Sequence, residues 1–252
     1  MSTPQEPKED KVLSNILICV AMEAEAAPMI AEFGLVREPS VCNISKCEMY
    51  CGEFSGCKIN LITNGKCPVY GCDEVGTVAA AVNTYIAIQS KHPDIIINAG
   101  TVGGFGRKGG AIGDVYITTD VRNHDRRIPI PGFEEYARGH YRSVDTPNLI
   151  SLLGYKSGVL TTSNSLDHHS VDDEIMLEND ASVKDMEGAG IAWVAHLANL
   201  PFFCVKVVTD IVDGDRPTHE EFLQNLGTAA QSLSDAVPKV VRFVAGKKLA
   251  DL

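Results

Sequence analysis

Unbroken apolar runs alternate along this chain with stretches in which apolar residues return every three or four positions, which predicts strands and helices in turn. Asn15 to Ala21 (NILICVA) is continuous and β-rich, the pattern of a strand covered on both faces. Phe202 to Val208 repeats that pattern and ends on Thr209-Asp210, while Asp94 to Gly100, Gly113 to Thr119 and Gly158 to Ser163 read as further strands. Residues 49–53 and 58–63 alternate around Phe54-Ser55-Gly56-Cys57 and predict a hairpin. Helical spacing marks Val75 to Gln89, stopped by Lys91-His92-Pro93, a short helix over 147–153, and a long closing helix from Thr218 to Leu249. Thr218 with Glu221 has the spacing of a capping box. Two more helices should begin at acidic mouths, one at Met22-Glu23-Ala24-Glu25 and one after Asp185-Met186-Glu187.

Strands alternating with helices imply an α/β fold, a three-layer α/β/α sandwich with a mixed, largely parallel central sheet. Residues 1–13 are rich in Pro, Glu, Lys and Asp and read as a disordered tail. Residues 14–252 then form a single domain. With 252 residues and 44% hydrophobic content the chain can bury one large core.

Charge narrows the partners. A net charge of −11 argues against a nucleic-acid or anionic membrane surface, both of which need clustered Lys and Arg. No apolar run approaches the roughly 20 residues that span a bilayer, and the polar, acidic start lacks a secretory pattern. A cytoplasmic protein with a small-molecule partner is expected. Eight cysteines do not change this reading. Six of them, Cys42, Cys47, Cys51, Cys57, Cys67 and Cys72, cluster without Cys-x-x-Cys spacing, so reduced structural thiols are expected rather than a zinc site or disulfides.

Several local features carry two readings. The glycines from Gly100 to Gly106 match neither a dinucleotide fingerprint nor a P-loop, and they read either as a tight turn or as a floor where backbone amides approach a sugar or small anion. His168-His169 lacks a third ligand and reads as a solvated loop pair, and no metal is expected. His124 to Phe133, held by Pro129 and Pro131, suits a lid or a subunit contact. Glu23 and Glu25 are in the first place helix N-terminal charges.

Glu25, Glu187 and Asp210 nevertheless all lie at strand or helix mouths, where ligands bind in open α/β sheets. Inverting glycoside hydrolysis needs one acid for the leaving group and one base for water. No G-x-S-x-G elbow, Cys/His motif or metal spacing competes with carboxylate acid/base work.

Six segments carry a resemblance: AMEAE (Ala21 to Glu25), NAGTVGG (Asn98 to Gly104), IGD (Ile112 to Asp114), HDRRIPIP (His124 to Pro131), KDMEGAG (Lys184 to Gly190) and KVVTDIVDGD (Lys206 to Asp215). In this order the chain resembles the purine nucleoside phosphorylase/hydrolase family over residues 14–247, and within it the plant-type 5′-methylthioadenosine nucleosidases. The resemblance implies a nucleoside phosphorylase-like fold without a cofactor. The implied reaction splits 5′-methylthioadenosine, with S-adenosylhomocysteine as a second candidate, into adenine and the 5-thioribose in methionine salvage. Glu25 would activate the attacking water, Asp210, held by Thr209, would protonate purine N7, and Glu187 with Met186 would line the ribose. Thr101, Val102 and Gly103 would flank the sugar, the backbone near Leu166 would meet the adenine edge, and Lys206 and Phe222 would also contact substrate. Met22 would cover the alkylthio group together with Ile128 and Pro131 of a second subunit, making a homodimer.

Two departures bear on this expectation. Lys206 stands where bacterial relatives carry Arg, and Ser163-Asn164 stands where relatives often have Gly-Asp. Two other readings remain open: a phosphorylase of the same family, and a non-catalytic nucleoside-binding or storage protein. A phosphorylase would need clustered arginines and a Gly-Asp loop after the first strand, where Met22 to Glu25 stand instead, and a pure binder has no use for a water-activating Glu.

Overall fold

A computed structural model describes residues 11–40 and 42–252; the expected tail falls largely outside the described residues. Leu13, at its boundary, is buried, and its backbone exchanges hydrogen bonds with Gly246 and Lys247. The strands are β1 (Asn15–Val20), β2 (Val36–Arg37), β3 (Glu48–Phe54), β4 (Cys57–Thr63), β5 (Ile95–Gly104), β6 (Val115–Asn123), β7 (Tyr141–Arg142), β8 (Lys156–Thr162), β9 (Ala181–Asp185) and β10 (Phe202–Ile211). The helices are α1 (Glu23–Phe33), α2 (Thr77–Lys91), α3 (Glu134–Arg138), α4 (Pro147–Leu153), α5 (Ser170–Glu178), α6 (Gly188–Leu197) and α7 (Thr218–Val244).

The expected mixed α/β architecture is present. Two parallel blocks, β4-β1-β5-β10 and β6-β8-β9, are joined by antiparallel contacts of β10 with β6 and of β5 with β9. The sheet therefore closes on itself at one end, which the expectation of an open, largely parallel sheet did not include. Alternation along β1 divides the core. Ile16, Ile18 and Val20 join the cluster under α1 and α7, while Leu17 and Cys19 join the one under α2 and α6.

Closure depends on the glycines that read as a turn or loop from sequence. Gly100 to Gly104 instead continue β5 as strand, and Gly103 and Gly104 pair with Lys184 and Val183 of β9. A Cβ on Gly103 would lie 2.7 Å from Asp210 Oδ2, and one on Gly104 would lie 2.9 Å from Val208 Cγ1. Glycine is needed here for close approach rather than for a turn.

Other boundaries also move. Asp210 does not end its strand: β10 runs on to Ile211, with a register shift against β5 between Val208 and Asp210. This bulge re-aims the acid. The Thr218–Glu221 capping box is absent; Thr218 makes no side-chain cap, and Glu221 Oε2 instead accepts from Ile211 N at 3.0 Å. The last helix stops at Val244 rather than Leu249. The acidic step before α6 splits, with Asp185 ending β9 and Glu187 at the cap position. The short elements β2, β7, β9, α3 and α5 carried no apolar run long enough to be read. His168 lies 2.7 Å from Asp173, and His169 holds the N-cap position of α5, so this pair serves a helix start. All eight cysteines are free, and among the described residues no cluster of His, Cys, Asp and Glu could hold a metal. No described helix is long and apolar enough to cross a membrane.

One close contact yields a stability prediction. A Cβ on Gly190 in α6 would meet the Thr77 carbonyl oxygen at 2.4 Å and Thr77 Cα at 3.0 Å, backbone atoms that cannot rotate away. Gly227 in α7 has nothing within 4 Å. In chemical denaturation Gly190→Ala should lose about 1–3 kcal/mol from overpacking. Gly227→Ala should gain up to about 1 kcal/mol from helix propensity.

Candidate active site

A cavity of about 290 Å³ opens at the closed end of the sheet, between the start of α1, the glycine end of β5, the β9–α6 junction, the β10 bulge and the start of α7. The structure brings to its wall Met22, Glu25, Thr101, Val102, Gly103, Leu166, Met186, Glu187, Lys206, Thr209, Asp210 and Phe222. Ile128 and Pro131 do not line the cavity of their own chain.

The first turn of α1 separates its two glutamates. Glu23 points outward to an ion pair with Lys66, as a helix N-terminal charge should. Glu25 is 2% exposed, and its Oε1 accepts from both Thr101 N and Thr101 Oγ1 at 2.7 Å. Its Oε2 accepts from Met22 N at 3.3 Å. Burial pushes the Glu25 carboxyl above the ordinary range, partly offset by the Thr101 hydrogen bonds and the Lys206 charge. A desolvated carboxylate of this kind is a stronger base than one in water.

Asp210 reaches the opposite side through the β10 bulge. The Thr209 hydroxyl lies 2.7 Å from Asp210 Oδ1 and 3.1 Å from the Val102 carbonyl; its single proton serves one of them at a time. Burial raises the Asp210 pKa, with the Thr209 bond and the Lys184 charge pulling the other way. This carboxyl is suited to carrying a proton. Two residues of α7 brace the bulge, since Asn225 Nδ2 donates to the Thr209 carbonyl at 2.9 Å and Glu221 accepts from Ile211 N.

The β9–α6 junction divides its acids by function. Asp185 Oδ2 accepts from Gly188 N at 2.9 Å, so Asp185 caps α6 although Glu187 holds the cap position. Glu187 is thereby free to face the cavity, and its Oε1 accepts from Gly76 N at 2.8 Å. Burial, followed by the Asp185 charge, raises the Glu187 pKa. Lys206 Nζ donates to Asp185 Oδ2 at 2.8 Å in a pair with both side chains at 2% exposure or less. Burial opposes the Lys206 charge, but Asp185, with Cys204 and Glu187 beside it, outweighs burial and holds the ammonium well above its ordinary pKa.

Sequence reasoning assigned no role to Asp185 or Lys184. Both lie in the segment it singled out, but that a strand ends at Asp185 was not visible. Lys184 Nζ donates to the carbonyls of Ser165 and Leu166 at 2.9 and 2.8 Å and so holds the loop that carries Leu166. Burial lowers its pKa. The Asn164 departure points away from the cavity: its Oδ1 accepts from Thr77 N and Thr77 Oγ1, capping α2 from a distance. The Lys206 departure keeps a cation in the wall but replaces a fork of donors with a point charge.

A closed mixed sheet with three carboxyls turned into one cavity defines a class that comparison identifies. The phosphorylase superfamily pattern matches residues 15–242. Over the whole chain and 97% of the relative, the sequence is 44% identical to 5′-methylthioadenosine nucleosidase of Arabidopsis thaliana. It is also 44% identical, over 97% of each chain, to the 5′-methylthioadenosine/S-adenosylhomocysteine nucleosidase of the same plant. The solved structure of Arabidopsis thaliana 5′-methylthioadenosine nucleosidase superposes with a TM-score of 0.94, covering 96% of this chain and all of the other. The chain belongs to the phosphorylase superfamily. Within that superfamily it falls in the family of the 5′-methylthioadenosine nucleosidases, which are N-glycosyl hydrolases.

Proposed function

We propose that the protein hydrolyses the N-glycosidic bond of 5′-methylthioadenosine, releasing adenine and the 5-thioribose for methionine salvage. The observation that carries this reading is the placement of Glu25 and Asp210 in one buried cavity with Glu187 beside them. Glu25 takes a proton from water, and the water oxygen attacks the anomeric carbon. As the C1′–N9 bond breaks, its electron pair moves into the purine and Asp210 gives its proton to N7, so adenine leaves neutral. Glu187 accepts from the ribose hydroxyls and opposes the positive charge that grows on the sugar. Thr209 steadies Asp210, Thr101 steadies Glu25, and Met22 and Phe222 supply apolar wall.

Water fits the acceptor position better than phosphate. Among the described residues lining the cavity no arginine occurs, Lys206 is committed to Asp185, and Lys184 to two carbonyls. A dianion beside Glu25 would be repelled. In this reading the protein is a cytoplasmic homodimer, with Ile128 and Pro131 closing the partner's cavity beside Met22. Exposed Ile130, Phe133 and Tyr136 on the same segment support a covered surface there, and the free thiols suit a reducing compartment.

Adenine should appear from 5′-methylthioadenosine without phosphate, and S-adenosylhomocysteine in a parallel assay tests the width of the 5′ pocket; a strict phosphate requirement would sink the hydrolase reading. Asp210→Asn should lower kcat on the order of 10²- to 10⁴-fold while retaining nucleoside binding by calorimetry. Undiminished turnover would remove Asp210 from the acid role. Because Glu25 and Glu187 must both be ionised and both pKa values are raised, kcat/KM should fall on acidification at a pH above the ordinary carboxylate value of 4.5. Thr101→Val removes a hydrogen bond that favours the ionised form, so this acidic limb should move to higher pH, as read from the pH profile. A limb that stays in place would show that another group titrates there.

A further inference from the structure

A second, much smaller cavity of about 10 Å³ is also bordered by Glu187. It sits between the sheet and the α2/α6 layer, and its polar wall is completed by Asn64, Asn83 and Thr84. That volume is about one water molecule's worth of accessible space, and a buried water requires two to four polar partners. The decisive partner is Asn64, which is 4% exposed and whose Nδ2 has no hydrogen-bond partner in the protein.

The orientation of that amide follows from a chain of bonds. Cys47 N donates to Ser45 Oγ at 3.1 Å, and the Ser45 hydroxyl donates its own proton to Asn83 Oδ1, 2.5 Å away. Asn83 must then turn its Nδ2 toward Asn64 Oδ1, at 3.2 Å. This leaves the Asn64 Nδ2 as the unpartnered atom, a donor in need of an acceptor. Glu187, across the same cavity, accepts from Gly76 N through Oε1, and a carboxylate with one such donor has capacity for more.

We propose that this cavity holds one ordered water that accepts from Asn64 Nδ2 and donates to the Glu187 carboxylate, making Asn64 a positioning residue for Glu187. The water site stands on geometry alone; its effect on turnover rests on the sugar-binding role proposed above for Glu187. Glu187 is faced by Asp185 from β9, Glu25 from α1 and Lys206 from β10, so two like charges and one opposite charge act on it. A second donor adds to Gly76 N in favouring the ionised form and fixes the rotamer from the side that substrate does not reach.

The first test is a crystal structure of the wild-type protein at a resolution that shows ordered water. A water within hydrogen-bonding distance of the Asn64 amide and the Glu187 carboxylate is expected; a cavity without density, or one filled by a side chain, overturns the proposal. The second compares Asn64→Leu with Asn64→Ser, which keeps a donor and leaves room for another water. Asn64→Leu should lower kcat/KM on the order of tenfold, about the effect of one hydrogen bond to a charged group, and move the acidic limb of its pH profile upward. Asn64→Ser should recover most of the rate and restore the limb. An unmoved limb in Asn64→Leu, or equal losses in both variants that track a lowered thermal midpoint, overturns the positioning role. A wild-type protein that shows the water yet releases no adenine would instead overturn the hydrolase reading, so the two failures are distinct.

Discussion

Charge confined within one wall governs this molecule. Glu25, Asp185, Glu187 and Asp210 share a cavity with two ammonium groups among its described lining residues, Lys184 and Lys206, and all of these but Glu187 are buried. Carboxylates crowded in a low-dielectric site cannot all be ionised at ordinary cost, so each needs a partner or retains its proton. The fold settles this by allocation. Asp185 receives the Lys206 ammonium and the α6 amide, Glu25 receives Thr101, Glu187 receives the α2 terminus, and Asp210 receives a hydroxyl and a distant lysine.

The acid with the strongest partner is therefore the one least free to react. Asp185, tied to a buried cation and a helix start, stabilises the scaffold, whereas the three carboxyls with raised pKa values face the hollow. A single carboxylate at a helix mouth says little about its function. Glu23 and Glu25 stand two residues apart in the same turn, yet one meets a surface lysine and the other a threonine in the cavity wall.

Much of this arrangement was legible in the sequence, because its long elements are written in periodicity. The runs at β1, β5 and β10 and the spacing of α2 and α7 place the start of α1 and the inner end of β10 without reference to tertiary contacts, although the bulge at Asp210 is set by pairing with β5. The segments quoted from Ala21 to Asp215 also contain most of the residues that line the cavity. What escaped depends on pairing between distant segments. Gly103 and Gly104 look like turn formers until Asp210 and Val208 are seen pressed against them. Thr218 and Glu221 have capping-box spacing, but a distant amide at Ile211 claims the carboxylate. Asn164 looked like a loss beside the adenine loop, yet its side chain serves the first turn of α2, more than eighty residues earlier in the chain. Short elements such as β9 are made by their neighbours rather than by their own composition.

The first turns of α7 hold two positions of different kinds. Thr218 and Phe222 form part of the cavity wall, and Glu221 and Asn225, within the same two turns, grip the backbone on either side of Asp210. Because a helix moves as a stiff rod over so short a span, the wall cannot swing outward without pulling on the bulge that aims the acid. The cavity wall at Thr218 and Phe222 and the backbone around Asp210 are therefore held in register by the same two turns of helix.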